Sequence, residues 1–462
     1  MKSALALYHR LPPPLANIAA SLRGYYLRSW RYGSDTEALV QAALERDHWS
    51  PTKWSAWSEQ QLEMMLDRAA RRVPYYMGCA PEKPADLAAW PVLKKEDVRR
   101  NPLAFVATDR NPRRLFRERT SGTTGTPLEI LASRTTLHRW FAIYEARVRR
   151  WNSVAFGQRW AILGGQLVVR FERQRPPYWV YNAGLNQLYM STHHLSAATA
   201  ADYVGALRRF RPTHIVFYPS SAMVLASEIL RQGLPRVQIP VCVSNAEPLS
   251  PEQREIIGEA FGGRVIETYG MGEMVAGASE CERGRLHLWP EVGYLEVLRD
   301  DTDEPCSPGE TGRLVWTGLL NDDMILVRYE VGDRGSRPPA AEPCPCGRKL
   351  PELGGIEGRA ADMIVTADGR RIFWLNPVFY GLPLREAQIV QESFKEITVL
   401  VVPDGDISHD LEREIVQRLR ARVGDVDVRV EATDHIPRTP SGKLRPVVSR
   451  LTPNGTDRSN PS

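Results

Sequence analysis

The sequence predicts an α/β protein: a large N-terminal unit of sheets and helices with a β-rich subdomain, then a small α+β C-terminal unit. Three observations carry this. Between residues 160 and 268, short apolar runs alternate with helical stretches, the rhythm of a largely parallel sheet. After Gly284 the helices give way to strands joined by Gly, Pro and Asp turns. From about residue 397, a strand, a helix and a strand make a compact tail.

The elements follow in chain order. Residues 1–57 read as a helical extension, with Lys2, Arg10, Arg23, Arg28 and Arg31 set among Leu, Ala, Tyr and Trp. Two readings are open there: a helix packed on the main unit, or a basic surface that makes weak peripheral contact with anionic lipid. The large unit spans 58–357. Leu62, Met65, Leu66, Ala69, Ala70 and Val73 recur at helical spacing, so 58–73 is an amphipathic helix that Pro74 ends. A second helix spans 136–151, with Trp140, Tyr144 and Val148 on one face. Trp160–Leu163, His214–Phe217, Val241–Val243 and Val265–Thr268 read as buried strands, with helices at about 197–210, 222–232 and 251–261. Tyr294–Leu298, Arg313–Thr317 and Met324–Tyr329 are the strands of the β-rich part, and a Pro/Cys-rich loop covers 337–347. The small unit, 363–452, holds strand 397–402, helix 409–423 and strand 427–432; residues 453–462 are polar, lack periodicity and read as disordered.

Composition narrows the function. The chain has 462 residues, 43% of them hydrophobic, enough for sizeable cores. Sixty basic residues against 55 acidic ones leave a net charge of +5, and no basic cluster interleaves with aromatics, so nucleic acid is not the expected partner. No apolar run reaches the roughly 18 residues that cross a bilayer, and the N-terminus does not read as a signal peptide. Six cysteines in so long a chain are not a disulfide scaffold, and the expected location is cytoplasmic. Cys79, Cys242 and Cys306 read as ordinary thiols.

Thr120-Ser121-Gly122-Thr123-Thr124-Gly125-Thr126-Pro127 is the most informative stretch. It cannot supply a core, but it can offer many backbone N–H groups and hydroxyls to an anion, with little Cβ bulk. A Walker loop is the competing phosphate device; Leu444 follows Gly442-Lys443, and Pro437 stands where its first glycine belongs, so that reading fails. Tyr269-Gly270-Met271-Gly272-Glu273 follows a predicted strand, where open α/β sheets place ligands. Tyr269 offers a face for adenine, and Glu273 is a hard oxygen donor suited to Mg²⁺. Asp333, in Tyr329-Glu330-Val331-Gly332-Asp333-Arg334, can accept from two vicinal hydroxyls at once. Cys344-Pro345-Cys346 with Cys281 and His287 makes a Cys₃His set of the kind that closes around Zn²⁺. His193-His194 is not an H-H-x-x-x-D acyltransferase motif, because Ala198 stands at the Asp position; beside Tyr178, Tyr181 and Tyr189 it lines an acyl pocket or simply packs. Each motif taken alone also reads as a solvated turn or linker.

Taken in order, from about Leu62 to about Arg445, these segments resemble the adenylate-forming superfamily, and within it the branch of phenylacetate–CoA ligases and capsule-biosynthesis adenylate-forming proteins. The resemblance implies that residues 120–125 embrace the ATP phosphates and that the loop Ser244-Asn245-Ala246-Glu247-Pro248 meets the adenine edge. It implies Tyr269 and Gly270 beside the base, Asp333 on the ribose, and Arg359 of Gly358-Arg359 on the nucleotide. Residues 358–362 would be a hinge on which the small mobile domain turns. Lys443, in Pro437-Arg438-Thr439-Pro440-Ser441-Gly442-Lys443, would bridge the acid and the α-phosphate. A carboxylate is already ionised at neutral pH, so the chemistry needs alignment and charge relief, which a lysine gives. Two positions depart from the family pattern: Gly272 stands where a Thr usually precedes the Glu, and Ala361 where the hinge usually has Asp or Lys. The implied reaction is ATP- and Mg²⁺-dependent formation of an acyl-AMP, then transfer to coenzyme A. A non-CoA acceptor, such as a carrier protein, is the alternative; a degenerate nucleotide-binding or partner-binding protein is the alternative of another class. Branch members carry a structural zinc at places similar to Cys281, His287, Cys344 and Cys346.

Overall fold

The structure is a computed structural model that describes residues 8–120, 128–170, 172–339, 343–359, 363–366, 371–372, 375, 378–379, 382–438 and 444–451. It opens with three helices: α1 (Pro13–Arg31), α2 (Thr36–Arg46) and α3 (Pro51–Arg72). Helix α3 begins earlier than the expected 58, because the Ser50 hydroxyl caps it by accepting from the Lys53 N–H and Pro51 opens the first turn. It buries Trp54, Leu62, Met65, Leu66 and Ala69. Helix α1 lies on the body of the protein. The Asn17 carboxamide oxygen accepts from the Tyr181 N–H at 3.0 Å, and Ser21 Oγ from the Ala183 N–H at 2.9 Å. Gly24 permits this approach, since a Cβ there would fall 1.9 Å from the Asn182 side chain.

An antiparallel hairpin follows, β1 (Phe116–Thr120) and β2 (Leu128–Ala132), with Thr120 opposite Leu128. The expected phosphate loop, Ser121 to Pro127, connects these strands and lies outside the described residues. Helix α4 (Arg134–Tyr144) comes next, capped by Ser133. The expected helix 136–151 does not run through: residues 145–149 form a widened π-type turn and 150–152 a 3-10 turn. Buried charge accompanies the change. Arg147 is fully buried, donates to Asp47 at 2.9 Å, and grips Glu291 with both terminal nitrogens at 2.6 and 2.8 Å. Trp151 donates to the other oxygen of Asp47 at 2.8 Å. This network fastens the end of α2 to the main unit.

The remaining strands of the large unit are β3 (Trp160–Gly164), β4 (Trp179–Asn182), β5 (Gln187–Ser191), β6 (His214–Phe217), β7 (Val241–Ser244), β8 (Arg264–Gly270), β9 (Gly277–Glu280) and β10 (Leu286–Leu288), then β11 (Gly293–Leu298), β12 (Gly312–Gly318), β13 (Tyr329–Gly335), β14 (Glu352–Leu353) and β15 (Ile356–Arg359). Among the described residues the main sheet runs β14-β10-β9-β8-β7-β6-β3-β5-β4. Its centre is parallel, as the alternating pattern predicts: β5, β3, β6, β7 and β8 pair in the same direction. The helices α5 (Ala200–Phe210), α6 (Pro219–Arg231) and α7 (Pro251–Phe261) cover it. Their apolar faces share one core with the strands, including Leu207, Leu225, Ile229, Ile257 and Phe261. Each such burial stabilises by about 1.5–3 kcal/mol.

A second, antiparallel sheet runs β11-β12-β13-β15. Here one expectation is corrected. Met324–Tyr329 is not a strand; β13 starts at Tyr329 and continues to Gly335. The residues 325–327 are apolar because they are buried, not because they belong to a ladder. Their backbone is served elsewhere: Ile325 N–H donates to the Phe105 carbonyl and Val327 N–H to the Tyr76 hydroxyl.

The small unit contains the pair β16 (Ile364–Val365) and β17 (Arg371–Ile372), and a sheet of β18 (Leu384–Gln391), β19 (Glu396–Pro403), β20 (Asp427–Ala432) and β21 (Val447–Ser449) in the order β20-β19-β18-β21. Helix α8 (His409–Val423) packs Leu411, Ile415, Leu419 and Val423 on it. Among the described residues, no helix is long and apolar enough to cross a membrane.

Candidate functional site

A cavity of ≈1650 Å³ collects three of the expected segments and the stretch that follows Lys443. It is lined by Asn245–Glu247 after β7, by Tyr269–Glu273 at the carboxyl end of β8, by Asp333 on β13, and by Leu444–Val447 of the small unit. The parallel strands β7 and β8 end side by side, so the loops after them open on one place.

The Tyr269 hydroxyl donates to Asp333 Oδ2 at 2.9 Å. Its ring lies 6.3 Å from that of Trp316, tilted by 32°. Asp333 sits on a strand, and its Cα partner across the ladder is Arg359 on β15. These two positions are therefore held together by sheet register. The side chain of Arg359 lies outside the described residues. So do Ala360, Ala361 and Asp362; of the expected hinge, Gly358 and Arg359 belong to β15.

Glu273 is buried. Its Oε1 accepts from Lys95 Nζ at 3.0 Å and from the Tyr329 hydroxyl at 3.2 Å. A carboxylate on the cavity wall suits Mg²⁺, which takes few carboxylates and several substrate oxygens. Glu247, in the loop expected at the adenine edge, lines the cavity. Its carboxylate accepts from Ser220 N–H at 2.9 Å and Ser220 Oγ at 3.1 Å, at the N-terminus of α6. It also accepts from the Leu444 N–H at 3.3 Å. The small unit thus reaches the cavity one residue after Lys443, which itself lies outside the described residues, as do Ser121, Gly122, Thr123, Thr124 and Gly125. Ala246, between the two loop residues, holds a left-handed backbone at φ 68°.

Several lining residues carried no motif. Arg23, Leu27, Trp30 and Arg31 reach the cavity from α1, and Trp30 packs on Phe116 with ring centres 4.5 Å apart. Trp140, Phe141 and Tyr144 come from α4, and Ile162, Tyr189 and Met223 from the main sheet and α6. The sequence marks Tyr189 as a pocket residue and sets Trp140 and Tyr144 at helical spacing, and periodicity does not separate a pocket wall from a core. Neither histidine lines the cavity: His193 Nε2 lies 3.1 Å from the Gly165 carbonyl, and His194 meets Ser191 Oγ and the Arg170 carbonyl at 2.9 Å each while its ring stacks on Tyr178. Of the nearby tyrosines Tyr178, Tyr181 and Tyr189, Tyr189 alone lines the cavity.

Cys281, His287, Cys344 and Cys346 converge, with their ligand atoms all within 4.8 Å of one another. Cys281 Sγ is 3.7 Å from Cys344 Sγ, and Cys346 Sγ is 3.4 Å from His287 Nε2. The Arg283 and Arg348 N–H groups point at Cys281 Sγ and Cys346 Sγ, 3.4 Å each. His287 Nδ1 is 3.4 Å from the Leu350 carbonyl, which turns Nε2 toward the sulfurs. Burial lowers the His287 pKa, which favours the neutral ligand form. Burial pushes the Cys344 thiol up to about 12, so a thiolate there requires a neighbouring cation. The hairpin bearing Cys281 and His287 also presents Gly284, Arg285 and Leu286 to the cavity.

Comparison with known proteins agrees with this layout. Residues 119–320 match the AMP-binding enzyme family, and residues 364–450 match the CapK C-terminal domain. The chain is 27% identical over 445 residues to a phenylacetate-coenzyme A ligase of Thermus thermophilus, covering 86% of this chain and 96% of that protein. It is 24% identical over 374 residues to Protein CapK of Staphylococcus aureus, covering 79% and 81%. Among solved structures, 2-hydroxyisobutyryl-CoA ligase in its postadenylation state, with 2-HIB-AMP, shares the fold with a TM-score of 0.68 and 21% identity, over 87% of this chain and 91% of that one.

Proposed function

We propose that this chain, a member of the adenylate-forming enzymes in the branch of phenylacetate–CoA ligases and CapK, joins a carboxylic acid to coenzyme A through an acyl-AMP. The observation that carries it is the cavity in which Tyr269–Glu273, Asp333 and the 444–447 segment of the small unit meet. Asp333 takes the ribose hydroxyls, and Tyr269, tied to it, flanks the base. Glu273 is the carboxylate that would hold Mg²⁺, which supplies charge relief at the phosphates. Lys95 and Tyr329 fix that carboxylate in place. The acid's carboxylate attacks the α-phosphorus, the P–O bond to the β-phosphate breaks, and pyrophosphate leaves. Lys443 neutralises the two reacting oxyanions as they approach. In the second step the thiol of coenzyme A gives up its proton to solvent, its sulfur attacks the acyl carbon, the bond from that carbon to the phosphate oxygen breaks, and AMP leaves. The aromatic wall from α1 and α4 receives the acid. A reaction that draws on ATP and coenzyme A supports a cytoplasmic location.

Cys281, His287, Cys344 and Cys346 are the residues that would hold a Zn²⁺ as a closed structural site. It would fasten the β9–β10 hairpin to the 344–350 segment and so brace one wall of the cavity.

One observation favours a second acceptor class: the small unit matches the CapK C-terminal domain. An amine, a sugar or a carrier-protein thiol would then replace coenzyme A. The test is to incubate the protein with ATP, Mg²⁺ and a panel of aryl and aliphatic acids, with and without coenzyme A, and to follow AMP and acyl-CoA by mass spectrometry. AMP together with acyl-CoA is the expected result. Acyl-AMP that persists beside coenzyme A would assign the second acceptor class, and no AMP from any acid would overturn the reading.

A further inference from the structure

Five of the eight large apolar side chains that stand exposed among the described residues belong to one helix. They are Leu15, Ile18, Leu22, Tyr25 and Tyr26 of α1, with 48, 55, 67, 53 and 51% of their surface open. At about 100° per residue they fall within an arc of roughly 100°. Arg23 and Arg28, both exposed, lie about 60° beyond the two edges of that arc. Arg134 of α4 adds a further cation where it donates to the Tyr26 hydroxyl at 3.0 Å. The first 34 residues contain one Lys, four Arg and no Asp or Glu.

The side of the helix about 90–150° round from the stripe's centre is pinned to the protein through Asn17, Ser21 and Gly24, with the Arg28 guanidinium 5.4 Å over the Phe156 ring on that flank, so the stripe does not turn inward. We propose that α1 is an interfacial anchor that seats this protein on an anionic lipid bilayer. The stripe enters the boundary between headgroups and acyl chains, the two tyrosines lie at that boundary, and the arginines meet anionic headgroups. A second copy of the chain fits less well. Face-to-face pairing would bring two arginine-edged rims together, and the helix carries no acid to neutralise them. The proposal concerns surface contact and stands apart from the ligase reading.

The test is flotation of the full-length protein with vesicles of phosphatidylcholine alone, and with vesicles containing about 30% phosphatidylglycerol. The expected result is recovery with the anionic vesicles at least about fivefold above that with neutral ones, falling again in 0.5 M salt. Leu15→Ser/Ile18→Ser/Leu22→Ser should weaken partition about tenfold or more, and Arg23→Gln/Arg28→Gln about 25-fold, from a factor of about five for each charge. Both variants should keep the wild-type thermal midpoint, because the changed side chains are exposed. Absence of wild-type protein from the anionic vesicle fraction would overturn the proposal. So would equal recovery of the triple serine variant, or a wild-type dimer that this variant abolishes without any flotation.

Discussion

Replacing Cys344 and Cys346 together by serine tests the metal assignment, and its consequence can be worked from the geometry. A tetrahedral zinc with Zn–S of about 2.3 Å and Zn–N of about 2.05 Å sets two sulfurs ~3.8 Å apart and a sulfur and a nitrogen ~3.6 Å apart. The side chains already stand at 3.7 Å for Cys281–Cys344 and 3.4 Å for Cys346–His287. The metal would bridge His287 and Cys344, closing a loop 57 residues long (344 − 287). By the chain-entropy relation for a covalent cross-link, that closure is worth about 4 kcal/mol. The value is an upper bound, since β10 and β14 pair Leu286 with Leu353 across the same segments. For a chain of 462 residues a loss of that size lowers the thermal midpoint by at most about 4 °C. Metal content by mass spectrometry, beside thermal unfolding, is the assay. Wild type is expected to carry close to one equivalent of zinc and the double variant less than about a tenth. Less than about half an equivalent in wild type purified without chelator would refute the assignment, as would an unchanged midpoint in a variant shown to be metal-free.

Two further changes probe the site and the core. Asp333→Ala removes the acceptor of Tyr269 and the proposed partner of the ribose hydroxyls, so KM for ATP should rise about 10- to 100-fold with the fold retained; a change under about threefold would reject that role. His214 is buried on β6, and burial, with Arg149 nearby, holds its pKa at about 3, below the ordinary 6.5. The unfolded chain therefore binds a proton that the folded chain refuses. Its contribution to stability is complete above pH 6.5 and is lost as pH falls from 6.5 toward 3, by about 1.4 kcal/mol per pH unit. In urea unfolding, His214→Phe should lie closer to wild type at pH 5.0 than at pH 7.5, by about 2 kcal/mol. Parallel pH profiles would count against this.

The sequence was most readable where a strand or helix is bounded by its own chemistry. Helix α8 and β20 keep their expected limits, because Ser408 caps the helix and Gly424 ends it. The parallel strands β6 and β7 stand out as short apolar runs between helices, since both of their faces are covered. Reading failed where burial and strand geometry part company. Residues 325–327 are as apolar as a central strand, yet the N–H groups of Ile325 and Val327 are met by the Phe105 carbonyl and the Tyr76 hydroxyl. Helix α4 widens at 145–149 around Arg147, whose partners Asp47 and Glu291 lie 100 and 144 residues away. No local pattern announces such a partner. The site divides in the same way. The short motifs around Tyr269 and Asp333 face one cavity, and the Cys₃His set converges as its spacing suggests. Lys95 beside Glu273, the return of Leu444 to Glu247, and the walls given by α1 and α4 depend on tertiary contact alone.

Acid-dependent exchange of labelled pyrophosphate into ATP, compared between wild type and Lys443→Ala, probes the first chemical step without regard to the acceptor. Wild type is expected to exchange with at least one acid of a broad panel, and the variant to fall by about 100-fold or more while still binding ATP. Undiminished exchange in Lys443→Ala would contradict the mechanism, and nucleotide binding by wild type without exchange for any acid would contradict the enzyme itself.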